Sequence, residues 1–433
     1  MLGIETSCDD TGVGLVDQDG NILSNCIHSQ LKQHLLNGGI IPIIAKEQHL
    51  LNIDQVAKEA FSASGLGSVA HDVHAIAVTN RPGLALSLEI GLNYAKSLAK
   101  KYSKPLIPIH HMHAHALTPL LQNRCIKFPF IALLISGGHA ILSIAKRYNN
   151  FHVLGASRDD APGDILDKFA RRTRLKNLGP PFDALSGGAA VELLSKRNGS
   201  DRFKHFATQG SIPMIDVLSC DFSFSGYKTS IDKLAPIVDD LWAAGNRETL
   251  LDELSHICAS LQRAILSQLV RKLYRANLFY RMHWRHKNVD AYGSEEATHH
   301  LGFELRDIKD GSVDIVVSGG VAANNYIFDS IQAICTSIID KNMQVYRPSK
   351  SLCSDNGLMI AWNGMLRYRD FVERNSIDYS DTDSIDSSII YNSNVIDSVK
   401  EHGESPMGID LSDQVRDARF SAHRLRHPEL RRT

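Results

Sequence analysis

The 433-residue sequence contains no Cys-x-x-Cys pair, and its seven cysteines (Cys8, Cys26, Cys125, Cys220, Cys258, Cys335 and Cys353) are scattered and odd in number. That pattern argues against a disulfide framework and for reduced thiols in a reducing compartment. No apolar run approaches membrane-spanning length, so no membrane partner is expected. Net charge is nearly absent, at −1 with His neutral. There is then no global pull toward nucleic acid or membrane, and an anionic partner must be met by a local patch. Also missing are a GxxxxGK[ST] phosphate loop and a well-placed GxGxxG, which sets aside the P-loop and Rossmann readings. The chain begins almost directly in a strand. It offers no signal peptide or Arg/Ser-rich transit segment, which reads as a cytosolic protein or one whose targeting segment is missing.

What is present describes a soluble globular protein, with 43% hydrophobic and 22% charged residues. Its length suggests two or three domains. The densest chemistry lies in Ile109-His110-His111-Met112-His113-Ala114-His115, four imidazoles in six residues. In a helix, His111 and His115 stand one turn apart on one face, the spacing with which two imidazoles grip one ion. The bland alternative is a solvated His-rich turn. Two His do not complete a site, so a third ligand must come from elsewhere.

Three strand–glycine-turn units punctuate the chain. The first runs from Leu2 through the polar tip Glu5-Thr6-Ser7-Cys8-Asp9-Asp10 to Val16. The second is Phe130–Ile135, then Ser136-Gly137-Gly138-His139, then Ala140–Ile144. The third is Val313–Val317 into Ser318-Gly319-Gly320-Val321-Ala322-Ala323-Asn324. A lone Ser-Gly-Gly is more often a tight turn than a phosphate loop. Three of them at the C-terminal ends of apolar strands predict a nucleotide site between two lobes, because free amides point outward there. The first two units look like one device used twice, which suggests a duplicated two-lobe architecture with a cleft between.

Helices are predicted over Ala45–Phe61, Leu86–Lys101, the His segment onward through Leu121, and roughly Leu250–Tyr280. Arg281–Gly311 reads as an inserted loop, and the tail beyond Asp378 as partly disordered. Asp355 precedes the apolar helix Leu358–Trp362, where it is either a helix N-cap or a carboxylate of the kind a His–His–Asp metal site needs. Lys168, Arg171, Arg172, Arg174 and Lys176 form a basic cluster, either solvated surface or a local contact for phosphate backbone. A second basic run, Arg424–Arg432, lies in the tail.

Taken in order, GIETSCDDT at 3–11, HHMHAH at 110–115, LISGGH at 134–139, GDILDK at 163–168, DFSFSGYKT at 221–229, SGGVAAN at 318–324 and CSDNG at 353–357 resemble the tRNA N6-adenosine threonylcarbamoyltransferases, once misnamed O-sialoglycoprotein endopeptidases. The likeness runs from Leu2 to about Asp370 and is greatest for the animal mitochondrial branch, which implies a mitochondrial location.

The resemblance implies an α/β, two-lobe actin/sugar-kinase-like (ASKHA) fold with duplicated phosphate loops and an interlobe cleft. The expected division is 1–127 as an N-terminal lobe carrying the His pair and 128–350 as a C-terminal lobe carrying the nucleotide turns. Residues 351–377 would return the metal-ligand Asp, and 378–433 would form the tail. One divalent cation per subunit (Fe, Zn or Mg) is implied on His111, His115 and Asp355.

Threonylcarbamoyl-AMP, supplied by a separate synthase, is implied against Leu134, Ile135, Ser136, Gly137, Gly138, Asp167, Ala323, Asn324 and Ser354. Gly188 and Glu192 are the best counterparts of a further family segment, with Asp183 competing for the place of Glu192. His113 stands where Glu is common and offers a spare ligand; His110 and His113 otherwise read as surface or supporting residues.

The implied reaction makes t6A in tRNA, with a monomer or a homodimer as the active species. Of Glu5, Asp9 and Asp10 as proton acceptors, motif position favours Asp9, beside His111 and His115 as catalytic residues. A metalloprotease is disfavoured, because Met112 occupies the place of the zincin Glu. An actin-like nucleotide-binding protein, or a carbamoyltransferase with another acceptor, are the rival readings.

Overall fold

The computed structural model describes residues 1–37, 39–197, 213–214, 217–288, 311–375 and 396–418. Two mixed sheets organise it. In the first, β1 (Leu2–Glu5), β2 (Asp10–Val16) and β3 (Ile22–Ser29) form an antiparallel meander, and β4 (Ile76–Arg81) and β5 (Leu106–His110) add in parallel, in the order β3-β2-β1-β4-β5. The Asp17 carboxylate closes the β2–β3 turn by accepting from the amides of Asp19 (2.9 Å) and Asn21 (2.8 Å), a local bond that Asp favours in turns.

The second sheet repeats this plan strand for strand. β6 (Phe130–Ile135), β7 (Ala140–Arg147) and β8 (Asn150–Ala156) form the meander, and β9 (Asp314–Ser318) and β10 (Val345–Tyr346) add in parallel. A short β11 (Ile409–Asp410) lies beside β8. The duplicated two-lobe architecture expected from the sequence is therefore present in the strand order itself.

The helices are α1 (Leu31–Leu36), α2 (Pro42–Ala63), α3 (Val69–Asp72), α4 (Ala85–Tyr102), α5 (His111–Gln122), α6 (Pro162–Arg172), α7 (Gly187–Ser195), α8 (Ser225–Ala243), α9 (Arg247–Phe279), α10 (Asn325–Ile334), α11 (Gly357–Asn375) and α12 (Ser412–Asp417). α2 and α4 pack on the first sheet. The central apolar cluster draws Ile107 from β5, Leu117 from α5, Phe130 and Leu134 from β6, Val316 from β9 and Trp362 from α11. Thus α5 and α11 lie between the sheets, where burial from both sides fixes them. At its glycines α11 meets β1 and β2 backbone to backbone: a Cβ on Gly3 would stand 2.2 Å from the Ala361 nitrogen, and one on Gly357 2.2 Å from the Gly14 nitrogen.

Two expectations need correction. Arg281 does not begin a loop, because α9 runs on through a π turn at Tyr280–Trp284 and further helix to residue 288. Tyr280 and Trp284 are buried, and the indole N–H of Trp284 donates to His152 Nδ1 at 2.8 Å. Residues 289–310 lie outside the described residues.

Part of the tail is packed: Ile396, Val399, Met407, Leu411 and Val415 are buried, and 396–418 packs along both lobes. Residues 376–395 and 419–433, with the run Arg424–Arg432, lie outside the described residues. The third glycine turn leads not to a strand but to a 3-10 turn, Gly320–Ala323, and then α10.

Candidate functional site

α5 starts directly at the end of β5, with His110 as its cap: the imidazole Nδ1 accepts from the Met112 amide at 3.2 Å. This places His111 and His115 one turn apart, their rings perpendicular with centroids 4.6 Å apart. Both Nε2 atoms converge on Asp355 Oδ1, at 3.5 Å from His111 and 3.0 Å from His115. Asp355 is free for this because the neighbouring Asn356 does the capping, its Oδ1 accepting from the Met359 amide at 3.0 Å. Donors about 3 Å apart suit one ion with bonds of about 2.0–2.2 Å. Among the described residues this is the one His/Cys/Asp/Glu group with ligand atoms mutually within 4.8 Å.

The electrostatics match. Burial alone would lower the pKa of His111, but Asp355 and Glu5 outweigh it and hold it up at about 9. Burial alone would raise Asp355, yet His111 and His115 pull it below the usual carboxylate range. A buried carboxylate between imidazoles demands a positive charge among them, from a proton or from a cation.

Glu5 has a role the sequence did not reveal. It is fully buried, Oε1 accepts from the Ser7 amide (2.5 Å), and Oε2 accepts from the Thr79 hydroxyl and sits 3.3 Å from His111 Nδ1. Ser7 Oγ lies 3.1 Å from the same nitrogen. A carboxylate on Nδ1 orients the ring and turns Nε2 toward Asp355. With both oxygens engaged, Glu5 drops out as a proton acceptor for substrate. Asp9 and Asp10 are half-buried at the same tip. Burial, and then Asp355, raise Asp9; burial, and then Asp9, push Asp10 up to about 7.

His110 and His113 are both buried, not surface residues. His113 is no spare ligand: its Nε2 donates to the Met407 carbonyl at 2.5 Å, and its Nδ1 accepts from Arg367 at 3.4 Å. Met112, buried beside them, has no proton-accepting group.

A second group gathers at the end of the second sheet. Leu134 and Ile135 are buried in β6. In the following turn the Ser136 amide donates to the His139 carbonyl (2.9 Å), and the Gly138 amide to Ser136 Oγ (3.3 Å). Of the three amides expected to face a ligand, two are thus used inside the turn. A Cβ on Gly137 or Gly138 would meet nothing within 4 Å, whereas one on Gly163 behind them would stand 2.7 Å from the Ser136 carbonyl oxygen. The turn therefore opens to space on one side and is walled on the other.

Asp167, raised by burial, accepts from the Gly188 amide at 3.2 Å. Glu192 pairs with Lys196 (2.9 Å) and accepts from the Asn325 amide (3.3 Å). Ala323 and Asn324 follow the third turn, Asn324 capping α10 and donating to Gln262 at 2.6 Å. Gly319 has φ +97°, and a Cβ there would be 2.4 Å from the Ile135 carbonyl, so only glycine joins the two turns. Ser354 is exposed next to Asp355, while Asp183 is exposed on a separate 3-10 turn, Phe182–Ala184.

His139 bridges the two groups. Burial, and then His111 and His115, lower it to about 4, so it lies within electrostatic reach of the His pair while standing one residue beyond Gly138. Its place in the glycine turn was the only signal for it.

The basic cluster is largely spent on its own acids. Lys168 pairs with Asp164 (2.5 Å), Arg174 with Asp239 (2.6 Å) and Arg172 with Asp239 (3.9 Å), while Lys176 donates to the Leu35 carbonyl (3.3 Å).

This chain is similar to known proteins over most of its length. Mitochondrial tRNA N6-adenosine threonylcarbamoyltransferase of Rattus norvegicus is 37% identical over 426 residues, 98% of this chain and 90% of that one. The Xenopus tropicalis protein of that name is 40% identical over 367 residues, covering 84% and 82%. Among solved structures, component A of (R)-2-hydroxyglutaryl-CoA dehydratase from Acidaminococcus fermentans aligns with a TM-score of 0.44 at 12% identity, covering 87% of this chain and 98% of that one. The family model for tRNA N6-adenosine threonylcarbamoyltransferase matches residues 21–362. By that match and by the identity to its relatives, the chain belongs to the tRNA N6-adenosine threonylcarbamoyltransferase family.

Proposed function

We propose that this acyltransferase takes the threonylcarbamoyl group from threonylcarbamoyl-AMP and places it on N6 of adenosine 37 in tRNAs that read codons beginning with A, forming t6A. The observation that carries the reading is the convergence of His111, His115 and Asp355, together with an open Ser136–Gly138 turn whose next residue, His139, lies within electrostatic reach of the His pair. N6 attacks the carbamoyl carbon, a C–N bond forms, the C–O bond to the phosphate breaks, and AMP leaves. A divalent ion held by His111, His115 and Asp355 (of Fe, Zn and Mg, the two imidazoles suit Fe or Zn better than Mg) would supply Lewis acidity toward the carbonyl and the leaving phosphate.

The protein's own groups do the rest. Glu5 holds His111 Nδ1 and so aims Nε2 toward Asp355. The Gly137 amide meets the nucleotide, and Asp167, Gly188, Glu192, Ala323, Asn324 and Ser354 border it. Asp9, raised by burial, is the acceptor for the proton that N6 loses. A synthase must supply the labile adenylate, and the names of the relatives support a mitochondrial setting.

Reconstitution with threonylcarbamoyl-AMP and an ANN-decoding tRNA, scored by mass, is expected to add one threonylcarbamoyl group at adenosine 37. Adenylate consumption with an unmodified tRNA would instead point to another acceptor.

A further inference from the structure

Residues 396–418 cross the molecule from one lobe to the other, and their middle lies against the helix that carries the metal ligands. At the first lobe, Lys100 pairs with Asp397 (2.5 Å), Lys96 donates to the Val399 carbonyl (2.5 Å), and Ile396 and Val399 enter the apolar core. The strand ends hold the next stretch: the His402 amide donates to the Asn80 carbonyl (2.8 Å), and the Gly83 amide to the Gly403 carbonyl (3.1 Å). At the far lobe, β11 lies parallel to β8, the Leu411 amide donates to the Val153 carbonyl (2.7 Å), and Arg275 donates to the Val415 carbonyl (2.6 Å).

Between these anchors the segment meets α5 at two imidazoles. His110 Nε2 donates to the Ser405 carbonyl (3.4 Å) and His113 Nε2 to the Met407 carbonyl (2.5 Å). The two rings stack with centroids 4.5 Å apart, and His113 stacks on Phe151 of β8 at 4.3 Å. Met407 is buried in the apolar cluster that holds α5 and α11. The crossing is tight at one point: a Cβ on Gly408 would stand 2.0 Å from the Phe151 carbonyl oxygen.

We propose that this C-terminal strap is a positioning element for the metal centre, with His113 the residue through which it sets α5, so that His111 and His115 keep their aim at Asp355. This rests on the assignment of His111, His115 and Asp355 as the ion's ligands. His113 is a positioning residue, because it touches neither the ligand atoms nor the glycine turns. A residue three positions from one end of the helix and held to a chain anchored on both lobes fixes the helix in rotation and in translation.

The test uses the full chain in three variants. His113→Leu removes the donor, His113→Gln keeps an N–H for the Met407 carbonyl, and Gly408→Val lifts the strap. Two readouts are taken: Zn²⁺ affinity by competition with a chromophoric chelator, and amide hydrogen exchange along α5 in metal-free protein. The proposal expects Zn²⁺ to bind about tenfold or more weaker in His113→Leu and Gly408→Val, as for lost supporting partners of metal-ligating His. It also expects faster exchange at 111–116, and recovery of both in His113→Gln.

Unchanged α5 exchange in folded His113→Leu would overturn it, whatever the metal does. Were Gly408→Val unfolded, the Leu/Gln pair, which leaves the strap backbone untouched, decides. Wild-type protein that binds no Zn²⁺ would count against the metal assignment, while the exchange comparison would still judge the strap.

Discussion

The tips of the two duplicated hairpins occupy equivalent places, one between β1 and β2 and the other between β6 and β7, yet they carry opposite chemistry. The first holds Glu5, Ser7, Asp9 and Asp10 and faces His111. The second holds Ser136, Gly137, Gly138 and His139 and faces open space. An acidic tip can support a cation and take up a proton, whereas a neutral tip with two glycines at its centre can admit an anionic nucleotide. The duplication thus supplies two identical scaffolds, and a handful of residues at each tip divides the work between them.

The sharpest way to break this division is His111→Ala, which removes a ligand on the acidic side. Transfer is expected to fall to background and the bound metal to vanish, with circular dichroism unchanged; turnover in metal-free variant protein would end the metal assignment. Next comes Glu5→Gln, which keeps the packing but weakens the hold on His111 Nδ1. Metal affinity is expected to drop by about 10–100-fold, measured by chelator competition, while an unaltered affinity would make Glu5 merely a core polar residue.

On the neutral side, Gly138→Val puts methyls into the open space. It is expected to raise KM for the adenylate by about tenfold or more with little change in Tm, because no protein atom lies within 4 Å of the new Cβ. Gly163→Ala is its contrast, losing Tm through the 2.7 Å approach to the Ser136 carbonyl.

The smallest effect concerns Asp10, whose carboxyl burial pushes up to about 7. A carboxyl raised in the folded state gives stability that is complete below its unfolded pKa and is lost as pH rises through its folded one. Asp10→Asn should therefore melt close to wild type at about pH 3.5, below the unfolded value, and above it at pH 8, by about 1–2 kcal/mol. A gap that does not widen with pH would place this carboxylate in solvent.

Much of this was legible in local patterns. Apolar runs ending in Gly-rich turns marked β1, β6 and β9, and the i,i+4 His pair marked the proposed ligands on α5, because each signal depends on neighbours in sequence. What could not be read depends on distant partners. Glu5 looked like a free acid because its partners Thr79 and His111 lie 74 and 106 residues away. His113 looked like a spare ligand because Met407 lies 294 residues on. Arg281 looked like the start of a loop because the polar face of its helix outnumbers the two buried aromatics, Tyr280 and Trp284, that dock it. Asp355 read equally as a helix cap and as a metal-site carboxylate, and only the structure, where Asn356 does the capping, separates the two.

The backbone contact of α11 with β1 and β2 has a consequence for synthesis on the ribosome. Gly3 and Gly14 present bare main chain that Gly357, Leu358 and Ala361 cover, so the amino-terminal hairpin waits through more than three hundred residues of translation for its lid. The ion's third ligand arrives with that same helix. A nascent chain stalled before residue 355 would have both imidazoles but no Asp355 to join them. Assembly of the centre therefore belongs to the last steps of folding, after the nonlocal contacts have closed. On the proposed ligand set, the cation could be held only once the cleft around it exists.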